Sequence, residues 1–174
     1  MKGGYKSYKV TKKQPNSKMC LACGLENSFG LKALFYELEN NEVVAIFQPI
    51  EEYQSYPGML HGGIAAAILD ETIGRALLLK DEEAWSYTIE LNIHYLKPIP
   101  IVVDDELKVT GRITKEEKNT YEGTGEIILK DGVIAAKAHG KYMKLPLNKI
   151  PNFDLSTVGW EVIPSETDPT EIEY

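Results

Sequence analysis

The chain has 174 residues, 43% of them apolar, enough for one compact core and too few for two ordinary enzyme domains. Nineteen basic against twenty-six acidic side chains leave a net charge of -7, which disfavours nucleic-acid phosphate and anionic membrane surfaces as partners. No apolar run follows Lys2, and the richest apolar stretch, Ile64 to Leu79, is interrupted by Asp70, Glu71, Gly74 and Arg75, so a soluble cytoplasmic protein is expected.

Residues 1–18 hold six lysines and no acid, while residues 151–174 hold six acids and no lysine or arginine. Charge blocks of this kind read as solvated tails, a basic one (1–18) and an acidic one (151–174), on either side of a single domain over residues 19–150. Their opposite signs leave pairing between the two open. Cys20 and Cys23 form one C-x-x-C; one such pair and three scattered histidines fall short of four zinc ligands, so reduced structural thiols and no metal site are expected. A zinc shared by two copies, each giving two thiolates, stays open.

Leu34 to Glu39 and Val43 to Phe47 read as two strands joined by a turn at Asn40-Asn41. Pro57-Gly58 and Gly62-Gly63 then punctuate the chain before a helix from about Leu60 to Leu79, apolar on nearly every side and therefore expected to be wrapped by the rest of the fold. Tyr87 to Leu96 alternates, with Tyr87, Ile89, Leu91, Ile93 and Tyr95 on one face and Thr88, Glu90, Asn92 and His94 on the other, until Lys97-Pro98 ends the strand. Glu106 to Thr114, Tyr121 to Leu129 and Val133 to Leu145 follow as strands, the last two joined by a turn at Lys130-Asp131-Gly132. Two strands, a long helix and four strands predict an α+β fold in which a largely antiparallel sheet wraps one central helix.

Two features carry chemistry. Helix starts present unpaired amides and the positive end of the backbone dipole, so His61-Gly62-Gly63 suits an oxyanion; the same residues also suit a plain turn, with His61 as a hydrogen-bonding structural residue. Asp70 is a carboxylate in the middle of the most apolar helix, where a charge is costly unless paired or used; the alternative is a solvated stripe with Glu71, which pairs with Arg75 at i, i+4. Gly62 and Asp70 are eight residues apart, about 12 Å at 1.5 Å per residue, too far to share one reacting carbonyl. If both act, the amide and the carboxylate come from different copies of the chain.

Three motifs resemble the hotdog-fold thioesterases of the 4-hydroxybenzoyl-CoA thioesterase superfamily, in particular its phenylacetate-pathway branch. They are Tyr56-Pro57-Gly58-Met59-Leu60-His61-Gly62-Gly63 running on to Leu69-Asp70, Thr88 to Pro98, and Cys20 to Leu31. The resemblance covers about residues 20 to 145 and implies a hotdog fold. It also implies hydrolysis of an acyl-CoA to a carboxylic acid and CoA, without cofactor or metal, in a homodimer or a tetramer of two dimers. Asp70 would activate water, the Gly62 amide would stabilise the oxyanion, His61 would shape the site, and Thr88 would stand where relatives can carry a serine that holds the water. Ser55 replaces an asparagine of characterised relatives, and with Gln54, Gly63 and Met59 it completes the expected substrate-binding set. Attack by Asp70 itself stays open as a mechanism. An acyl-CoA-binding sensor and a hotdog hydratase are the competing functions; hydratases of the fold use a different histidine and acid arrangement, which the chain lacks.

Overall fold

The computed structural model describes residues 5–146, 149–150 and 154–174. Helix α1 (Gly62–Arg75), continued by a 3-10 turn over Ala76–Leu79, occupies the stretch where a long helix is expected. The strands are β1 (Ser7–Lys13), β2 (Leu34–Leu38), β3 (Val43–Phe47), β4 (Ala84–Tyr95), β5 (Leu107–Glu116), β6 (Thr120–Ile128), β7 (Ile134–Pro146) and β8 (Glu171–Glu173). They form one antiparallel sheet in the order β4-β7-β6-β5-β3-β2-β1-β8, with α1 across it: the hotdog fold. Asn41, at φ 62°, closes the β2–β3 hairpin as its residue type suggests. No described helix is long and apolar enough to cross a membrane.

Alternation along β3 and β5 builds the core. Val43, Ala45, Phe47 and Val109 join Ile68, Leu69 and Ile73 of α1 in one buried cluster. The helix sits very low over the sheet: a Cβ built on Gly111 would lie 2.4 Å from the Thr72 carbonyl oxygen, and one on Gly125 would meet the Ile73 side chain at 2.9 Å. Gly111 and Gly125 pair directly across β5 and β6, so their missing side chains make one hollow that receives α1.

Three expectations are corrected. The terminal segments are not solvated tails: β1 pairs with β2 on one side and β8 on the other, with Tyr8 opposite Ile172. Opposite charge and apolar burial combine there. Lys13 meets Asp168 at 2.5 Å, Tyr36 donates to the same carboxylate at 2.9 Å, and Ile172 is buried with Tyr36, Leu38 and Val44 on the sheet face away from α1. Residues 1–4 and 151–153 of those segments lie outside the described residues.

The helix is also not wrapped on every side, because Gly63 is exposed and Ala66, Ala67, Asp70 and Gly74 are only half-buried along one flank. Finally, the simple alternation of β4 breaks. The register against β7 slips between Thr88 and Glu90, an extra residue at Ile89 that turns Thr88 to the helix side while Glu90, Asn92 and His94 stay on the other.

Ile172→Ala is expected to lower the unfolding free energy by about 2 kcal/mol, the usual cost of truncating a buried aliphatic side chain. Urea unfolding followed by circular dichroism reads it, and a loss below about 0.5 kcal/mol, typical of exposed positions, would restore the solvated tail.

Candidate active site

At the start of α1, His61 has extended backbone angles (φ -65°, ψ 134°) and its Nδ1 accepts the Gly63 N–H at 2.8 Å. It is the N-cap, which fixes the ring by satisfying one of the free amides of the first turn. The Gly62 N–H, one position earlier, has no acceptor among the described residues. Tyr95, at the end of β4, donates to the Gly62 carbonyl at 2.7 Å and stands over the glycine. These residues open on a cavity of about 320 Å³ bounded by Leu60, Ala65, Lys97 and Ile99.

Two turns further on, Asp70 is half-buried and faces β4 and β7. Thr88 Oγ1 donates to its Oδ1 at 2.7 Å, and the Tyr142 hydroxyl lies 3.1 Å from the same oxygen and 3.2 Å from the Asp70 carbonyl oxygen. Oδ2 accepts no hydrogen bond among the described residues. Burial raises the Asp70 carboxyl above the ordinary range, the two hydroxyl donors oppose that rise, and the Glu71 charge adds to it. Tyr142 is pushed up by burial and by the Asp70 charge, so it stays a phenol and a donor. Its ring stacks on Tyr121 at 5.0 Å, and Tyr121 is itself held by Ser86 and the Gly74 carbonyl.

A cavity of about 460 Å³ opens beside Asp70, Thr88 and Tyr142, and Trp85, Trp160 and Cys20 line its far side. Gly62 lines the first cavity and Asp70 the second, so within one chain the two predicted catalytic groups do not meet. Glu71 pairs with Arg75 at 2.7 Å as its spacing suggests, but Arg75 is buried there rather than on a solvated stripe.

The substrate-binding candidates line neither cavity. Gln54 accepts the Gly58 N–H at 3.1 Å, the Ser55 N–H donates to the Met59 carbonyl at 2.9 Å, and Gly63 gives its amide to His61. They shape the loop that leads into α1. Tyr53 is buried and Tyr56 exposed, and neither lines either cavity, whereas Trp85 reaches the Asp70 cavity together with Trp160 and Tyr142. Tyr95 and Tyr142 escaped the sequence reading. The signal for Tyr142 lay in the small residues sharing its face of β7, Ala136, Ala138 and Gly140, which leave room for one large ring under the helix.

Residues 57–136 match the family model described as the thioesterase superfamily. Rat acyl-coenzyme A thioesterase THEM4 is 38% identical over 94 residues, covering 51% of this chain and 40% of that protein. Human acyl-coenzyme A thioesterase 13 is 26% identical over 95 residues, 50% of this chain and 66% of its own. The chain thus spans well under half the length of the first of these relatives. Among solved structures, a thioesterase superfamily protein superposes with a TM-score of 0.65 at 24% identity, over 71% of this chain and 59% of its own. The E. coli PaaI protein from the phenylacetic acid degradation operon does so with 0.59 at 17%, over 66% and 80%. Residues 57–136, under half of the chain, are thus similar to the thioesterase superfamily, and the chain has the hotdog fold that these structures share.

His61→Ala is expected to cost about 1 kcal/mol of stability by removing the N-cap acceptor, and His61→Asn to recover most of it. Denaturant midpoints of the three proteins measure this; equal midpoints for wild type and His61→Ala would remove the cap from the account.

Proposed function

We propose that the chain hydrolyses acyl-CoA thioesters to a carboxylic acid and CoA, with water activated by Asp70. The observation that carries this reading is the division of labour on that carboxylate. Oδ1 is fixed by Thr88 and Tyr142 while Oδ2 takes no hydrogen bond among the described residues, at the wall of a cavity large enough for an acyl group. A carboxylate held on one oxygen is pre-aimed on the other, so Oδ2 can take the proton of a water as that water adds to the thioester carbonyl. Collapse of the tetrahedral adduct breaks the C–S bond, and the proton that Asp70 took from water passes to the sulfur, directly or through solvent, so that CoA leaves as the thiol and Asp70 is again a carboxylate. CoA is part of the substrate, and the scheme calls on no other cofactor.

The developing oxyanion needs a donor, and the Gly62 amide at the positive end of α1 is suited to that task. Because it lies about 12 Å along the helix from Asp70, the donor must come from a second copy of the chain. Two features support such a copy. β4 is a twelve-residue edge strand with Tyr87, Ile89 and Tyr95 exposed, and a long apolar edge invites pairing. The half-buried stripe of α1 through Ala66, Ala67 and Asp70 is also the side a partner helix would cover. The active form is therefore a homodimer or a tetramer of two dimers. A net charge of -7 and two free cysteines suit the cytoplasm, which completes the reading.

Thiol release over a panel of acyl-CoAs tests the activity. Asp70→Asn is expected to lower kcat by about 10²- to 10⁴-fold, the usual contribution of a positioned general base. Tyr142→Phe and Thr88→Ala, which leave the carboxylate in place but release Oδ1, should lose less than Asp70→Asn and keep KM. Binding of acyl-CoA without turnover in the wild type would replace the hydrolase with a sensor.

The shared site has its own test. Proline at the first helical position is compatible with the extended His61, its Cβ would meet Tyr95 at an ordinary 3.5 Å, and it removes the amide proton, so Gly62→Pro should fold and lose turnover by about 10²- to 10³-fold. Co-expressed with Asp70→Asn chains, it should regain about a quarter of wild-type activity, since half of randomly assorted dimers carry one intact site of two. Absence of any recovery in verified mixed dimers would place both groups in one chain.

A further inference from the structure

The fold gives the C-x-x-C pair a third partner that no spacing in the sequence suggests. Cys20, Cys23 and Glu71 each present one ligand atom, and these atoms all lie within 4.8 Å of one another. Cys23 is buried, Cys20 and Glu71 are half-buried, and all three border the cavity beside Asp70. We propose that Cys20 Sγ, Cys23 Sγ and the Glu71 carboxylate form a zinc site with three protein ligands, its fourth position open to the cavity.

The geometry is near what the ion demands. Zinc bonds of about 2.3 Å to sulfur and 2.0 Å to oxygen place tetrahedral ligand atoms about 3.5 to 3.8 Å apart, so closure asks for a contraction of about 1.3 Å at most. The turn is already shaped to hold sulfur: the Cys23 N–H points at Cys20 Sγ at 3.4 Å, the Gly24 N–H donates to the Cys20 carbonyl at 2.8 Å, and Ser17 Oγ lies 3.3 Å from Cys23 Sγ. Such contacts orient thiolate ligands and stabilise their charge. Arg75 Nε holds Glu71 Oε1 at 2.7 Å, while Oε2 has no hydrogen bond among the described residues.

Charge balance favours the same ion. Arg75 and Glu71 cancel, and with both cysteines as thiols the cluster is neutral. Zn²⁺ entering as the two thiols release two protons leaves it neutral still, so a half-buried site gains the metal without gaining net charge. Two sulfurs and one oxygen suit zinc better than the hard cations, which want oxygen alone. Three ligands are too few for a closed structural site, and the open position faces solvent in the cavity rather than protein. The bound ion would tie the Cys20–Gly24 turn to α1 one residue from Asp70.

Cobalt(II), titrated without oxygen into the reduced, metal-free full-length chain, tests this directly. Expected are sulfur-to-cobalt charge-transfer absorption and tetrahedral ligand-field bands that saturate at one ion per chain and are bleached by zinc. Cys20→Ser and Cys23→Ser should each lose thiolate absorption, and Glu71→Gln should bind more than about a hundredfold more weakly, beyond the roughly 10- to 100-fold that loss of an outer-shell partner commonly costs. No charge-transfer band in the reduced wild type overturns the site, and that result needs no variant to fold. Saturation at one ion per two chains overturns it as well, in favour of four thiolates shared between copies, and so does Glu71→Gln binding like wild type. None of these readouts involves thioester turnover, so the site stands or falls apart from the hydrolase reading.

Discussion

The depth at which α1 sits in the sheet governs everything downstream of it. Helices pack on sheets at a distance set by the side chains between them, and here glycines at 111 and 125 remove those side chains where the helix crosses β5 and β6. Thr72 and Ile73 drop into the hollow, and the residues on the helix flank come down with them. Asp70 is thereby brought within hydrogen-bond reach of hydroxyls that rise from the sheet. One turn higher, neither Thr88 nor Tyr142 would touch it. Alanine at Gly111 would press on backbone at Thr72, which cannot swing aside as a side-chain tip can.

The bulge at Ile89 is the second half of the same construction. A regular strand would put Thr88 on the face of Glu90, Asn92 and His94, away from the helix. One extra residue reverses that for the first part of β4 only, so Ser86 and Thr88 face Tyr121 and Asp70 while Leu91, Ile93 and Tyr95 still face the helix start. A single strand thus serves both ends of α1. It attends to the carboxylate before the bulge and to Gly62 after it.

What was legible in the sequence follows the range of the forces involved. The long helix, the β2–β3 hairpin and the four later strands are written in local periodicity and turn chemistry, and they appear within a few residues of their expected bounds. His61, Gly62 and Asp70 were readable as candidates because glycines at a helix start and a carboxylate on an apolar helix are locally anomalous, whereas Thr88 was a candidate only through the family resemblance. The bulge left no local mark, since an alternating strand looks the same with one residue added. Tyr142 was hidden for a similar reason: its partner is 72 residues away, and only the register of β7 aims it. The terminal strands were missed because their lysines and acids read as solvated when each segment is taken alone. Paired, Lys13 with Asp168 and Tyr8 beside Ile172, they neutralise and cover one another.

Arg75 shows how far such distant pairing reaches. A buried guanidinium is costly unless its charge and its donors are met, and here Nε and Nη1 find partners in distant parts of the chain while Nη2 has no hydrogen bond among the described residues. Glu71 supplies charge from the same helix and the Pro15 carbonyl accepts at 2.8 Å from the segment after β1. The planar group lies 4.0 Å from the Phe35 ring centre on β2 and 4.8 Å from that of Trp160 near the C-terminus. Trp160 in turn packs on Trp85 of β4, at the wall of the Asp70 cavity. The two oppositely charged ends of the chain are therefore drawn over the C-terminal half of α1 by one residue, and the cavity they close is the one into which the Asp70 carboxylate points. A fold limited to residues 19–150 would leave that cavity without its Trp160 wall and Arg75 without two of its four partners. The terminal segments belong to the site as much as the helix does.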